Sequence, residues 1–132
     1  KQSYSIKTFI DKAVLNKASI ILICYNPKQK NFLTTLNEQH ERALNNKNEK
    51  CQIIFVCTRF DESGNEERIR LKQVDNLAKR NKCHHFCTSA KSKYNIKALF
   101  NYIKDFSWDI SQLKLRYSIT LQFILYNKVL FI

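Results

Sequence analysis

Two short, unbroken apolar runs constrain the fold more than any other feature of this sequence. Residues 19–25 and Gln52–Cys57 consist almost entirely of apolar side chains, and each run ends in a polar loop. Runs of this length without polar alternation are typical of strands buried on both faces of a parallel sheet. Helices must cover both faces of such a sheet, so we expect helical segments between the runs.

Helical patterns do alternate with these strands. Four segments place apolar residues at helical spacing: Ile6, Phe9, Ile10, Ala13 and Val14; Phe32, Leu33, Leu36, Ala43 and Leu44; Leu71, Val74, Leu77 and Ala78; and Ile96, Leu99, Phe100 and Ile103. A third strand, shorter and more polar, is predicted at His84–Cys87. Strands alternating with helices in this way indicate βαβ units with right-handed crossovers. The predicted fold class is therefore α/β, with three parallel strands alternating with helices.

Composition excludes several classes of protein. The 132 residues include one glycine, Gly64, which excludes a collagen-like chain and any intact glycine-rich phosphate loop within this sequence. No methionine is present, even at position 1, so we expect a fragment, a processed product or a partial gene model. No apolar run reaches 18 residues, which predicts no membrane span. The five cysteines lie mostly in apolar runs, as is typical of buried thiols in a reducing, cytoplasmic compartment.

The charge balance is strongly basic. Lysine and arginine total 23 against 11 acidic residues, giving a net charge of +12 that attracts phosphate, acidic proteins or anionic lipid. The basic residues are spread along the chain, and the basic stretch from Arg68 to Lys82 has no interleaved aromatic residues for base stacking. A solvated surface is therefore the favoured interpretation, and no specific nucleic-acid partner is predicted. A basic nucleic-acid-binding domain stays open as a weaker alternative.

Two of the loops that follow strands carry a recognisable pattern. Thr58-Arg59-Phe60-Asp61 follows the second strand, Thr88-Ser89-Ala90-Lys91 follows the third, and Asn95-Ile96-Lys97-Ala98-Leu99-Phe100 opens the last helix. In this order and with Leu77-Ala78 between them, these segments resemble the C-terminal half of a Ras-superfamily small GTPase, nearest to the Ras and Rab branches. The resemblance implies a partial, Ras-like sheet of the P-loop NTPase type and an incomplete G domain over residues 1–108.

The resemblance implies a guanine-binding role for six residues: Thr58, Arg59, Asp61, Ser89, Ala90 and Lys91. The Asp61 carboxylate would accept the neighbouring N1–H and N2–H₂ donors of guanine, which adenine does not present together. Ser89 would hold Asp61 by a hydrogen bond, the Ala90 N–H would meet guanine O6, and the Lys91 stem would pack over the base. Thr58 and Arg59 stand where the family has asparagine and lysine, and we expect this departure to weaken base affinity.

The resemblance also identifies what this sequence lacks. In the family, the phosphate loop, the magnesium-binding threonine and the Asp-x-x-Gly segment all precede the matching region. We therefore predict no catalytic residues, no metal ligands and no GTP hydrolysis by these 132 residues. GTP or GDP binding is expected to be weak or absent, with magnesium bound only if the N-terminal half is present. Asp61-Glu62-Ser63-Gly64 matches Asp-x-x-Gly by letters but follows the wrong strand.

Two functions remain open at this point. The first is a signalling or membrane-traffic switch of the Ras or Rab type, cytoplasmic or peripheral to membranes through its effectors. The second is a pseudo-GTPase, a module that binds protein neighbours within an assembly without nucleotide turnover. No cysteine follows Cys87, so no prenylation site is present in this sequence.

The segment after Trp108 departs from the family pattern. Residues 109–132 form a hydrophobic tail in which Ile119, Leu121, Phe123 and Leu125 alternate with other residues, and Asn127-Lys128 precedes a final apolar run. This pattern predicts a β-hairpin with a two-residue turn. In the family's sheet order the first apolar run would have an uncovered edge here, so we expect residues 118–132 to pair there. An erroneous extension of the gene model is the alternative.

Histidines and cysteines suggest further sites. Cys83-His84-His85-Phe86-Cys87 contains zinc-type ligands, but period-two spacing on a strand does not close around one ion as a turn does. We therefore interpret this segment as an ordinary strand. His40 shares a helix face with Leu36 and is interpreted as a packed histidine rather than a catalytic base. The order of residues predicts no Ser/His/Asp or Cys/His nucleophilic site.

Overall fold

A parallel β-sheet forms the centre of the computed structural model, which describes residues 12–106 and 129–131. The strands are β1 (Ile20–Tyr25), β2 (Gln52–Cys57), β3 (His84–Cys87) and β4 (Val129–Phe131). The helices are α1 (Phe32–Asn46), α2 (Asn65–Arg80) and α3 (Ile96–Phe106), and a 3₁₀ turn spans Phe60–Glu62. The strand order is β3-β2-β1-β4. Three parallel strands alternating with helices confirm the predicted α/β class.

The register of the sheet brings the ends of its central strands together. β1 pairs with β2 over six positions, ending at Tyr25 opposite Cys57. β2 pairs with β3 so that Cys57 also lies opposite Cys87. The loops that leave β1, β2 and β3 therefore begin at one level on the same edge of the sheet.

Helices cover the two faces of the sheet unequally. Because the chain moves in one direction from β1 to β2 to β3, right-handed crossovers place α1 and α2 on the same face. There, Ile23 and Phe55 pack in one core with Leu36 of α1 and Val74 of α2. On the other face, Ile20, Leu22, Ile54 and Val56 pack against Leu99 and Ile103 of α3.

The ends of α2 show how a chain with one glycine makes its turns. The N–H of Gly64, the residue before α2, donates to the Glu67 carboxylate at 3.0 Å. Asp61-Glu62-Ser63-Gly64 thus connects β2 to the start of α2. At the other end, Lys82 has a φ of 55°, a left-handed conformation that favours glycine. Arg59, Lys93 and Asn95 also adopt positive φ values.

Three side chains predicted on buried helix faces are exposed instead. Val14, Leu44 and Phe100 are 44%, 47% and 52% exposed. Leu15 is the buried residue of the first segment, and α1 ends its buried stripe at Ala43. Each of the three residues lies at the margin of an apolar face, where helical spacing alone does not determine burial.

The short strand β4 pairs with β1 in parallel, with Val129 opposite Ile20 and Phe131 opposite Leu22. The pairing expected at this edge for residues 118–132 is therefore present over these three residues. The other strand of the predicted hairpin lies outside the described residues, as do Ile6, Phe9 and Ile10 of the first predicted helix.

His40 is packed in the core on α1, as interpreted from the sequence. It is 6% exposed, and its ring meets Phe55 edge-on with centroids 5.0 Å apart. Its Nε2 atom has no hydrogen-bond partner. Burial lowers the pKa of His40, because a charged imidazolium would lose its hydration there.

Removing one methylene from the core should destabilise the chain. Ile23 is fully buried, whereas Ile69 on α2 is 64% exposed. We expect Ile23→Val to lower the free energy of unfolding by about 0.5–1.5 kcal/mol, and Ile69→Val to change it by less than about 0.5 kcal/mol. Urea unfolding followed by circular dichroism measures both variants. Equal losses at the two positions would contradict the core described above.

Acid should destabilise the chain through His40. Its folded pKa lies below the unfolded value of about 6.5, so the unfolded chain binds more protons as the pH falls. The contribution of His40 to stability should therefore decrease below about pH 6.5 and level off below its folded pKa. His40→Phe, which keeps a ring against Phe55, should flatten the dependence of the urea midpoint on pH. His84→Phe on β3 is the matched control, and equal flattening by both variants would contradict this assignment.

Candidate functional site

A cleft of about 670 Å³ lies at the carboxyl edge of the sheet. The loops after β2 and β3 and the start of α3 form its walls. Five of the six residues predicted for the site line it: Thr58, Arg59, Asp61, Ala90 and Lys91. The sixth, Ser89, is fully buried and contacts Asp61. The structure thus brings the whole predicted set together in one place.

A short hydrogen-bond chain holds the carboxylate in the cleft. The Ser89 hydroxyl donates to Asp61 Oδ1 at 2.6 Å, and the backbone N–H of Ser92 donates to Ser89 Oγ at 3.1 Å. The Ser92 contact leaves the Ser89 hydroxyl proton available for the carboxylate. Asp61 is therefore oriented by a side chain that is itself fixed by the backbone.

The two loops are joined by contacts beyond this pair. The N–H of Phe60 donates to the carbonyl oxygen of Thr88 at 3.0 Å. The rings of Phe60 and Tyr94 stack with centroids 5.4 Å apart, and the Ser89 N–H donates to the Tyr94 carbonyl at 3.1 Å. The Arg68 guanidinium lies 5.4 Å from the centre of the Phe60 ring. These contacts stabilise the loops relative to each other.

A threonine at the start of each loop donates hydrogen bonds to the last residue of the neighbouring strand. Both the N–H and the hydroxyl of Thr58 donate to the Tyr25 carbonyl of β1, at 2.8 and 3.1 Å. Thr88 donates in the same way to the Cys57 carbonyl of β2, at 2.8 Å for both bonds. The hydroxyl of Thr58 is therefore bound to the sheet, whereas the asparagine that the resemblance implies there would bring an amide.

An apolar wall of the cleft was missed in the sequence analysis. Ile96, Leu99 and Phe100 of α3 line it, together with Cys24 and Val56 from the sheet. Helical spacing placed the α3 residues in the core, yet the exposed ring of Phe100 lies in the cleft wall. The signal available in the sequence was their position in the helix that directly follows the Thr88–Lys91 motif. A cleft with one apolar wall and one polar wall can hold a flat aromatic base.

The two histidines of the segment Cys83–Cys87 point to opposite faces of the sheet, because successive residues of a strand alternate. His84 contacts Tyr102 of α3, with ring centroids 4.4 Å apart, whereas His85 contacts Asp75 of α2. Over residues 12–106, no group of three or more histidine, cysteine or acidic side chains is arranged to hold a metal ion. Likewise, no helix in the described part of the chain is long and apolar enough to cross a membrane.

The fold and the cleft together define a class of protein, the α/β domains of the small GTPase type. Residues 7–106 match the Ras family, and the chain belongs to this family. The match covers all three strands and helices that position the cleft. A search of curated proteins found no match. Members of the Ras family bind guanine nucleotides and magnesium in general, and they bind effector proteins.

The Ser89–Asp61 hydrogen bond should contribute measurably to stability. Ser89→Ala removes a buried donor to a carboxylate, so we expect unfolding to become easier by about 1–2 kcal/mol, allowing for the exposure of Asp61. Ser92→Ala is the matched control, because the exposed Ser92 contributes only its backbone N–H. Thermal unfolding of both variants measures the difference. Loss of equal size in Ser92→Ala would count against a special role for Ser89.

Proposed function

We propose that the cleft recognises a guanine base, with Asp61 as the residue that selects it. The observation that carries this proposal is the buried hydroxyl of Ser89, 2.6 Å from a carboxylate that lines the cleft. A carboxylate so held can accept two neighbouring N–H donors without reorganising. Guanine offers such a pair, and adenine does not.

The remaining residues fit the other parts of the base. Backbone N–H groups after β3 can meet a carbonyl oxygen, and we assign the N–H of Ala90 to guanine O6. Lys91 and Phe100 line the cleft on the walls that a flat ring would contact. We assign them to the two faces of the base, since lysine stems and aromatic rings both cover apolar surface.

The proposed affinity is low for two reasons. The Thr58 hydroxyl donates to the Tyr25 carbonyl, and Arg59 replaces a lysine with a planar group of different geometry. The resemblance further assigns phosphate binding to a glycine-rich loop and magnesium binding to a threonine, both of which precede this region in the family, whereas these 132 residues contain one glycine. The proposal for this region is therefore limited to recognition of the base.

The wider role proposed is that of a signalling or membrane-traffic switch of the Ras or Rab type. It requires this region to act together with a phosphate-binding segment, since phosphoryl transfer depends on stabilising the phosphate charge. We take residues 1–108 as the G-domain part, with residues 109–132 as a separate tail. Magnesium would bind with the phosphates, and effector proteins would be the partners.

A second candidate function is a pseudo-GTPase module that binds proteins without nucleotide turnover. The observation that favours it is the engagement of Thr58 with β1 in place of the family asparagine, together with Arg59. Both candidates share the fold, and they differ in whether the cleft binds guanine.

Guanosine binding tests the proposal directly. In a ¹H–¹⁵N NMR titration, guanosine should shift the amide signals of Asp61, Ala90 and Lys91 with a dissociation constant above about 100 µM, since no phosphate contacts contribute. Inosine, which lacks the exocyclic amine, should bind about tenfold more weakly, as expected for loss of one hydrogen bond to a charged group. Adenosine should not shift these signals.

Two variants test whether Asp61 selects guanine or only contributes negative charge to the cleft. Asp61→Asn should abolish the preference for guanosine over inosine, because an amide cannot accept both donors in the same way. Glu62→Gln is the matched control, since Glu62 also lines the cleft and the change removes the same charge. Equal shifts with adenosine would contradict selection by Asp61, and the absence of shifts with guanosine would instead favour the pseudo-GTPase module.

A further inference from the structure

Below the two loops, on the face of the sheet that carries α1 and α2, lies a row of polar and sulphur-containing side chains. Tyr25, Cys57 and Cys87 are register partners across β1, β2 and β3 and therefore point to the same face. His85, two residues before Cys87 on β3, points to that face as well. This row is independent of the cleft, whose sheet residues Cys24 and Val56 lie on the opposite face.

His85 is held in place from two sides. Its Nδ1 atom lies 2.6 Å from Asp75 Oδ1 of α2, and its Nε2 atom is within hydrogen-bonding distance of the Tyr25 hydroxyl. The histidine side chain is 4% exposed, whereas that of Asp75 is 54% exposed. Both ring nitrogens of His85 therefore have partners, and Cys87, two residues further along β3 on the same face, places a thiol beside this imidazole–carboxylate pair.

The electrostatics distinguish the two cysteines. A hydrogen bond from Cys57, reinforced by one from His85, lowers the pKa of Cys87 well below that of an ordinary thiol despite its burial. The same pairing with Cys87, followed by burial, raises the pKa of Cys57. Burial makes protonation of His85 harder, but its hydrogen bonds with Cys87 and Asp75 outweigh this and raise its pKa. Burial raises the pKa of Cys24, Cys51 and Cys83.

Geometry also permits a bond between the two sulphur atoms. Neighbouring strands lie about 4.7–4.9 Å apart, within the span of about 4.4–6.8 Å between the Cα atoms of a disulfide. Cys57 and Cys87 are direct partners in the register, whereas Cys51 and Cys83 lie before their strands and Cys24 lies on the other face. Cys57 is fully buried, and Cys87 is half-buried, so an oxidant reaches Cys87 first.

We propose that Cys87 and Cys57 form an oxidisable pair, in which Cys87 reacts with a hydroperoxide and Cys57 then closes a disulfide between β2 and β3. His85, held between Asp75 and Tyr25, is the positioning residue that stabilises the Cys87 thiolate, and the thiol proton passes to solvent. The Cys87 thiolate attacks one peroxide oxygen, the O–O bond breaks, and the leaving hydroxide takes a proton to become water. Cys57 then attacks the sulfenic acid of Cys87, and the hydroxyl leaves as a second water with the proton of Cys57. With hydrogen peroxide, two thiols and one peroxide thus yield one disulfide and two waters.

The proposal concerns a modification site and does not depend on guanine binding. All five cysteines are free thiols in the structure. Disulfides that form in otherwise reduced proteins are typically transient and respond to oxidants. Closure of this pair would link β2 to β3 one residue before Thr58 and Thr88.

The first experiment uses the full 132-residue chain, reduced and then treated with equimolar hydrogen peroxide. Peptide mapping by mass spectrometry after blocking of free thiols should find one disulfide, between Cys57 and Cys87, with Cys24, Cys51 and Cys83 still reduced. Cys57→Ser should stop the reaction at the sulfenic acid of Cys87, which dimedone traps. Cys83→Ser is the matched control, because Cys83 lies before β3 and outside the register pair, and it should leave the disulfide unchanged. Disulfides distributed among all cysteines, or none at all, would overturn the proposal.

A second measurement tests the role of His85 as a positioning residue. The rate at which iodoacetamide alkylates Cys87, followed site by site against pH, reports its thiolate fraction. His85→Asn should move the midpoint of this profile to higher pH, and below that midpoint the reaction should slow about tenfold for each unit by which the pKa of Cys87 rises. External imidazole should not restore the rate, because His85 acts through its fixed position beside Cys87. A pH profile that is the same in both proteins would refute the role assigned to His85.

Discussion

The register of three parallel strands is the constraint on which the rest of this structure depends. Because β1, β2 and β3 end opposite one another, the carbonyl groups of Tyr25 and Cys57 are available to Thr58 and Thr88 of the next loop along the sheet. Each threonine uses its N–H and its hydroxyl on one carbonyl, so each loop starts in a fixed direction. The distance between Asp61 and Ser89 follows from this shared starting level, and the cleft is a consequence of backbone pairing.

Much of this fold could be predicted from the sequence, and the parts that could not were those decided by tertiary contacts. The bounds of β2 were predicted correctly, because a continuous apolar run that ends in polar residues has sharp ends. Those of the short, more polar β3 were also predicted correctly, from its place between two helical patterns. Helical spacing identified the buried faces but not their width, as Leu44 and Phe100 show. The six residues assigned to the site came from a family resemblance. The stacking of Phe60 on Tyr94 and the contact of His85 with Asp75 join elements that are not adjacent in the sequence pattern, so no local signal predicted them.

The two faces of the sheet carry different chemistry within a small distance. On the α3 side, Val56 contributes to an apolar wall suited to an aromatic ring, while on the α1 and α2 side Cys57 belongs to a row of ionisable groups. Successive residues of one strand point to opposite faces, so a single step along β2 separates the two environments. The sheet also accepts a parallel strand beside β1, where residues 129–131 pair with its backbone. The sheet therefore offers backbone hydrogen-bonding groups along β1 and, at the carboxyl ends of its strands, the cleft.

Residues with a left-handed backbone conformation affect how many destabilising substitutions this protein tolerates. Arg59, Lys82 and Lys93 adopt backbone angles that carry a steric penalty of about 1–2 kcal/mol for residues with a β-carbon. A small domain has a free energy of unfolding of only about 5–15 kcal/mol. Turns with these residues therefore leave the folded state less stable than turns with glycine would. A destabilising substitution in the core therefore brings this chain closer to unfolding than it would bring a chain with glycine at these turns.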